Sequence, residues 1–317
     1  MCLIKTVLTF QVVITLLDVN DFTPEFVSPA TITVRENTPQ STVAHTVRIR
    51  DLDIGVNSDV TFSIAQRSGD GAPFTIGVTD GKLRVNTNLD RESVANYSMV
   101  VTVNDHGHPS LSATQNLFIE IEDVNDHDPV FSPEFYDARA SEAILVGTTL
   151  LQVSATDLDS GLNGIVKYYI LSGDDNFDFS LDQSSGILRV QKPLDYERVT
   201  AYKLIVQAED SGDNTRYATA TVTITVDDEN DNDPIFLDSP YMEFVRENMD
   251  RPVFVLQVSA RDADSAEFSQ LRYNIQAGDS SLFNISASTG EIMALQRLDR
   301  EVQDSHILTV VASDLGM

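Results

Sequence analysis

The chain has 317 residues, enough for two or three domains, and 42% of them are hydrophobic, so a packed core is within reach and wholesale disorder is excluded. Asp and Glu number 49 against 21 Lys and Arg, a net charge of -28, which excludes nucleic acid and anionic membrane surfaces as partners because like charges repel. A single cysteine, Cys2, permits no disulfide within the chain, and no uninterrupted apolar run of about eighteen residues is present to span a bilayer.

In chain order, Met1 to Leu17 is apolar with Lys5 near its start, but no small-residue cleavage site follows it, so it does not read as a signal peptide. Leu8, Phe10, Val12, Ile14 and Leu16 alternate with other residues, which predicts the last strand of a repeat lying upstream. It runs into Asp18-Val19-Asn20-Asp21-Phe22-Thr23-Pro24. That heptapeptide returns as Asp123-Val124-Asn125-Asp126-His127-Asp128-Pro129 and again as Asp228-Glu229-Asn230-Asp231-Asn232-Asp233-Pro234, spaced by 105 residues each time (123 minus 18, 228 minus 123).

Within the first period Thr31 to Val34 alternates and is followed by Glu36, then comes Asp51-Leu52-Asp53. Val60, Phe62 and Ile64, then Leu83 and Val85, predict further strands. Leu89-Asp90-Arg91-Glu92 follows, then alternating Tyr97 to Val103, then Asp105 two residues before Gly107, and a last alternating run from Leu117 to Ile121. The acidic motifs keep phase in the later periods: Glu142 and Glu247, Asp157-Leu158-Asp159 and Asp262-Ala263-Asp264, Leu194 to Glu197 and Leu298 to Glu301, Asp210 and Asp314. About seven short strands per period, separated by Gly, Asn, Asp and Pro clusters, predict an all-β chain of tandem antiparallel sandwiches. An immunoglobulin domain proper is disfavoured, since the chain has no Trp and no cysteine pair.

Carboxylates gathered at the ends of such domains, beside Asn and backbone carbonyls, are hard oxygen ligands suited to Ca2+. Their surroundings hold no Cys or His at each motif, which argues against zinc or copper. An EF-hand beginning at Asp157 would need Glu at its twelfth position, where Tyr168 stands, and flanking helices that the alternation denies. His106-Gly107-His108 reads as a solvated turn. The carboxylates also recur in every period, whereas an active site occurs once, so the chain reads as no enzyme and takes no small-molecule substrate.

The linker heptapeptide, the basal Glu, the Asp-[Arg/Tyr]-Glu, the Asp-x-Asp and the late Asp resemble those of extracellular cadherin repeats, over nearly the whole chain. The resemblance implies seven-stranded Greek-key β-sandwiches joined by calcium-binding linkers, with about three Ca2+ per complete junction. The boundaries that follow are 1–22 (last strand and linker of an upstream repeat), 23–127, 128–232, and 233–317 (a repeat lacking its last strand, and unstable alone because of the exposed edge).

On this resemblance the first junction takes Glu36, Asp90 and Glu92, then Asp123, Asn125 and Asp126, then Asp157, Asp159 and Asp210, with main-chain carbonyls at Val124, His127 and Asn163. The second takes Glu142, Asp195 and Glu197, then Asp228, Asn230 and Asp231, then Asp262, Asp264 and Asp314. Half-sites fall at Asn20, Asp21, Asp51, Asp53 and Asp105, and at Glu247, Asp299 and Glu301. Phe22 and His127 replace the second Asn of the linker motif, a mild change. The loop after Asp264 lacks the Gly and Asn seen at Gly55 and Asn57 or Gly161 and Asn163, which predicts weaker calcium there.

Like charges about 5 Å apart repel by roughly 3 kcal/mol at an effective dielectric near 20. Three Ca2+ would bring the eight carboxylates of the first junction from -8 to -2 and brace what is otherwise flexible. The function implied is calcium-dependent cell–cell adhesion, homophilic or heterophilic, through a rigid extracellular array of a plasma-membrane glycoprotein. Its partners are other cadherins on the same or an apposed cell, and the membrane is reached only through a segment absent from this chain. The alternative is an extracellular spacer whose shape calcium sets. Asn96 and Asn284 open N-x-[ST] sequons and are candidate glycosylation sites. The chain most resembles internal repeats of a protocadherin or a Fat/Dachsous-like large cadherin.

Overall fold

The structure is a computed structural model that describes residues 9–66 and 72–314. It contains two compact units: Met1–His127 with Leu158–Ile165 and Gly212–Thr215, and Asp128–Asp157 with Val166–Ser211 and Arg216–Met317. Among the described residues there is no α-helix.

The strands of the first unit are β1 (Glu25–Phe26), β2 (Thr31–Arg35), β3 (Val43–Thr46), β4 (Ile49–Arg50), β5 (Val60–Gln66), β6 (Phe74–Ile76), β7 (Lys82–Val85), β8 (Asn96–Asp105) and β9 (Ser112–Glu122). They form a four-stranded sheet ordered β2-β9-β8-β5, a three-stranded sheet ordered β3-β7-β6, and a short β1-β4 pair. The alternation read from sequence is what buries one face of each strand: along β8, Met99, Val101 and Val103 are buried while their neighbours are not. Phe74, Leu83, Leu89, Leu117 and Ile119 join them in one hydrophobic core.

One pairing departs from the antiparallel expectation. β2 runs parallel to β9, with Thr31 opposite Phe118 and Arg35 opposite Glu122. A chain that enters a sandwich at one end and leaves at the other must run its first and last strands in the same direction, and these two happen to be neighbours.

In the second unit β10 (Val130–Phe131), β11 (Phe135–Ser141), β12 (Thr149–Gln152), β13 (Ala155–Thr156), β14 (Lys167–Ser172), β15 (Phe179–Leu181), β16 (Ile187–Val190), β17 (Ala201–Glu209) and β18 (Tyr217–Asp227) repeat that plan. Their sheets are β11-β18-β17-β14 and β12-β16-β15, with β11 again parallel to β18. A further body follows: β19 (Ile235–Phe236), β20 (Val253–Gln257), β21 (Ala260–Arg261), β22 (Arg272–Ala277), β23 (Phe283–Ile285), β24 (Glu291–Ala294) and β25 (Thr309–Ser313). It has its own core around Val258, Tyr273, Phe283 and Ile292.

Two alternating segments form no strand. Residues 9–24 carry none, against the reading of an upstream last strand, and Phe10 and Leu16 are 86% and 90% exposed. Residues 1–8 of that expectation lie outside the described residues. Residues 241–246, in phase with β2 and β11, are likewise unpaired, with Phe244 88% exposed. Alternation supplies a face, but a strand exists only with a ladder partner. β2 and β11 find theirs in β9 and β18, and no strand follows β25 among the described residues.

A buried polar network distinguishes the second sandwich. Asp178, 2% exposed, accepts hydrogen bonds from Tyr202 Oη at 2.8 Å and Arg198 Nη2 at 3.1 Å, while Phe179 meets the Tyr202 ring edge-on at 4.8 Å. The matching position of the first sandwich is Pro73. Burial, with the Asp178 hydrogen bond and charge behind it, pushes the Tyr202 hydroxyl up to about 12. A tyrosine raised in the folded state contributes fully below its ordinary value near 10 and loses that contribution as pH climbs through the folded value. Tyr202→Phe should cost about 1–3 kcal/mol at neutral pH, because Asp178 loses a partner. In thermal melts between pH 9 and pH 12, roughly the span of the two values, the wild-type stability should fall more steeply than that of the variant.

Candidate metal centres

The inward-facing rows of the strands end in the acidic motifs. Ile32 and Val34 lead by steps of two to Glu36; Leu117, Ile119 and Ile121 lead to Asp123; Met99, Val101 and Val103 lead to Asp105. The same stepping carries Ala140 to Glu142, Ala208 to Asp210, Val226 to Asp228, and Ala260 to Asp262 and Asp264. Because β2 and β9 are parallel and β8 is antiparallel to β9, Glu36 and Asp123 share one end of the first sandwich and Asp105 stands at the other. These side chains start inside the wall and are buried there: Glu36, Asp53, Asp105, Glu142, Asp159, Asp210, Asp262 and Asp264 are all at most 8% exposed. Carboxylates so placed need hydrogen bonds, counter-charges or a metal.

At the Asp105 end, Asn20 Nδ2 donates to Asp105 Oδ2 at 3.1 Å and to the Pro109 carbonyl at 2.6 Å. The Phe22 N–H donates to Asp53 Oδ2, and the Asp53 N–H to Asp51 Oδ1. Burial, reinforced by the Asp18, Asp51 and Asp21 carboxylates, raises the Asp53 pKa against its Phe22 hydrogen bond. Burial pushes Asp105 the same way, but donors from Leu111, Asn20, Gly107 and Ser110 outweigh it and lower its pKa. A Cβ on Gly107 would lie 2.1 Å from Asn20, so the glycine two residues after the late Asp makes room for the linker Asn. His106 and His108 are exposed, as a solvated turn requires.

At the other end Glu36 is a clamp. Its Oε2 accepts the Arg91 N–H at 2.8 Å and its Oε1 the Val124 N–H at 2.7 Å, tying the Asp90–Glu92 motif to the linker. Arg91 lies between Glu92 Oε1 and Asp123 Oδ1, each at 2.5 Å, as an internal cation. Asp123 also accepts the Ser160 N–H at 3.0 Å and Asn163 Nδ2 at 2.8 Å; with Arg91, these donors lower its pKa although burial acts to raise it. Burial and the Glu36 charge raise Glu92. Asn125 Nδ2 reaches the Asn214 carbonyl, again beside a glycine, Gly212, with no room for a Cβ. His127 Nδ1 lies 2.9 Å from both Asp126 Oδ1 and Asp159 Oδ1, and the Asp159 hydrogen bond, opposed by burial and aided by the surrounding carboxylates, raises its pKa.

The second unit builds the same arrangement. Glu142 accepts the Tyr196 and Glu229 N–H groups at 2.6 and 2.8 Å. Asp228 accepts the Ser265 N–H at 2.9 Å. With its amide turned so that nitrogen faces the two carboxylates, Asn230 would donate to Asp314 Oδ2 at 3.2 Å and Asp264 Oδ2 at 2.9 Å. Burial and the charges of Glu142, Asp231 and Asp228 raise Glu197.

Ligand atoms come within 4.8 Å of one another in Glu36–Asp90–Glu92, Glu92–Asp126–His127–Asp159, Glu142–Glu197–Asp228, Glu197–Asp231–Asp264 and Glu247–Asp299–Glu301. The remaining expected carboxylates, Asp21, Asp51, Asp53, Asp105, Asp123, Asp157, Asp195, Asp210, Asp262 and Asp314, fall in none of these groups. Asn96 and Asn284 are both exposed, at the start of β8 and within β23.

Sequence reasoning passed over Asp18. Its Oδ2 accepts the Ile54 N–H at 3.1 Å and Asn57 Nδ2 at 2.9 Å, the same partners, one period earlier, that Asp123 takes. The repeat phase contained that signal. Arg91 was passed over too, because Tyr196 stands in its place in the next period and no common chemistry marks the position.

The donor set fits a hard cation. Asn20 Oδ1, Asp51 Oδ2, Glu92 Oε2, Asp228 Oδ1 and Asp262 Oδ2 are buried oxygens without a hydrogen bond, all on expected ligands. Oxygens withheld from water and from protein donors suit an ion that takes six to eight oxygens in flexible geometry. Glu36→Ala should cost about 2–4 kcal/mol in chelator, since two part-buried N–H groups lose a buried, charged acceptor; Asp90→Ala, at an exposed carboxylate, should cost much less in the same denaturant titration.

A cadherin domain family model matches residues 30–122, 136–227 and 241–317. Protocadherin Fat 4 of Mus musculus is 42% identical over 309 residues, which are 97% of this chain and 6% of that protein. Protein dachsous of Drosophila melanogaster is 36% identical over 319 residues, 96% of this chain and 9% of that protein. The chain thus spans under a tenth of the length of these relatives. The crystal structure of mouse cadherin-23 EC22-24 superposes with a TM-score of 0.81 at 29% identity, covering 93% of this chain and 95% of that one. The chain belongs to the cadherin family.

Proposed function

We propose that the chain is a stretch of a calcium-dependent adhesion ectodomain, in which Ca2+ at the acidic linkers stiffens successive sandwiches. The observation that carries this reading is the recurrence, at Asp51, at Glu92 and at Asp228 and Asp262, of carboxylates anchored through one oxygen while the other, buried, has no protein donor. Cadherin repeats generally bind calcium, and this chain keeps the expected oxygen donors at each end. Glu36, Asp90, Glu92, Asp123, Asn125, Asp126, Asp157, Asp159 and Asp210 would hold about three ions, and their counterparts from Glu142 to Asp314 a second set. Bound calcium supplies positive charge that converts carboxylate repulsion into attraction.

The repeats would then be 23–127, 128–232 and 233–317, with 1–22 the end of another. The family-model spans support that division. The lower side of the second site is the weaker one, since Asp228 receives the Ser265 N–H where Asp123 receives both Ser160 and Asn163. The protein would work outside the cell, with other cadherins as partners. No helix among the described residues is long and apolar enough to cross a membrane.

Calcium titration of the chain by calorimetry should give saturable binding at about 10⁻⁴–10⁻³ M, the range of extracellular modules. Asp159→Ala should lose the ions of the first site and Asp264→Ala those of the second, each with the matching rise in melting temperature. Absence of binding at millimolar calcium would sink the ligand assignment. Beads coated with the chain should aggregate in calcium and disperse in chelator; calcium binding without aggregation would favour a spacer over an adhesive segment.

A further inference from the structure

The two sequons differ in their surroundings. Asn284 lies within β23, whereas Asn96 is the first residue of β8, with Tyr97 and Ser98 after it. Glu120 pairs with Thr33 on one side and with Asn96 on the other, so the three residues form one cross-strand row. All three are exposed. The row faces outward, because Val34, Met99, Ile119 and Ile121 alternate with it and turn into the core.

That row lines a cleft of about 550 Å3 together with Glu122, Ser160 and Leu162. The loop on its far side is pinned. Asp123 accepts the Ser160 N–H at 3.0 Å and Asn163 Nδ2 at 2.8 Å, and Arg91 Nη2 donates to the Leu158 carbonyl at 3.3 Å. Leu162, within this fixed loop, is nevertheless 65% exposed. Counted from the Leu-Asp motif, Ala201 and Ser305 stand where Asn96 does, so only the first period places a sequon here.

We propose that Asn96 carries an N-linked glycan whose first N-acetylglucosamine lies in this cleft. The cleft falls in the range of about 300–1,000 Å3 that holds small ligands. A sugar bonded to its rim enters by an intramolecular step, which favours occupancy without a high intrinsic affinity. Glu120 and Glu122 offer acceptors to the sugar hydroxyls, Thr33 and Ser160 offer hydroxyls, and Leu162 offers an apolar wall to the C–H face of the ring. In the attachment Asn96 Nδ2 bonds to the anomeric carbon as that carbon's bond to a lipid pyrophosphate breaks. The amide gives up one proton, and the lipid pyrophosphate leaves with the electron pair. The donor, a lipid-pyrophosphate oligosaccharide, belongs to the secretory pathway, so the inference rests on the extracellular part of the reading above and not on its calcium part.

The test is secretion of the chain from animal cells behind a cleavable leader, with mass spectrometry of the Asn96 and Asn284 peptides before and after peptide-N-glycosidase. Asn96 should be occupied. A bare Asn96 would overturn the proposal; in that case sugar on Asn284 spares the extracellular reading, and two bare sequons count against both. Hydrogen exchange in chelator reads the seat. The Ser160 and Asn163 amides should exchange at least about threefold more slowly in the glycosylated chain than in Ser98→Ala, which keeps Asn96 but loses the sequon. Ser98→Thr keeps the sequon and should keep the protection, whereas Leu162→Ser should keep the glycan and lose it. Equal exchange with and without the sugar would overturn the seat.

Discussion

Carboxylates forced together at the rim of a rigid sandwich are the constraint on which the rest of this molecule depends. Period two fills the core with Met99, Val101, Val103, Leu117, Ile119 and Ile121, and two residues further along the same rows stand Asp105 and Asp123. A side chain that begins on the inward face cannot swing freely into water, so the charge stays where the wall ends. The cost of that placement is met partly by backbone donors. Glu36 and Glu142 each take two N–H groups, and each thereby joins a motif to a linker. What those donors leave over shows at Glu92, Glu197 and Asp53, whose pKa values are raised first by burial and then by the neighbouring carboxylates.

The repeats are not copies. Arg91 places an internal cation between Glu92 and Asp123, where the next period has Tyr196. Asn57 and Asn163 brace Asp18 and Asp123, while Phe268 occupies the third equivalent position. Phe22, His127 and Asn232 give one position three different chemistries. Each junction therefore balances the same carboxylates with different partners, and each should answer to cations with its own strength.

Much of this was legible in the sequence because it is written in two periodicities. Alternation located β2, β5, β7, β8 and β9, and the 105-residue phase located the ligand motifs. Alternation does not say which strand lies beside which, so the parallel pairing of β2 with β9 was invisible, and so was the failure of residues 9–24 and 241–246 to become strands. Those depend on a partner elsewhere in the chain. The double role of Glu36 was hidden for a related reason: residue type announces a ligand, but only the fold shows that both its oxygens already hold backbone N–H groups. Gly107 and Gly212 read as turn residues, and their reason is the close approach of Asn20 and Asn125.

Hydrogen exchange of the linker amides, with calcium and with chelator, tests the central claim most directly. If calcium braces the acidic rims, the amides of Asp123 to His127 and of Asp228 to Asp231 should exchange at least about tenfold more slowly in calcium, while core amides such as those of Val206 and Val222 change little, because local opening and global unfolding are separate processes. Linker amides that exchange at the same rate in both conditions would contradict the account, and would leave the crowded carboxylates as a feature of the folded sandwich that no cation relieves.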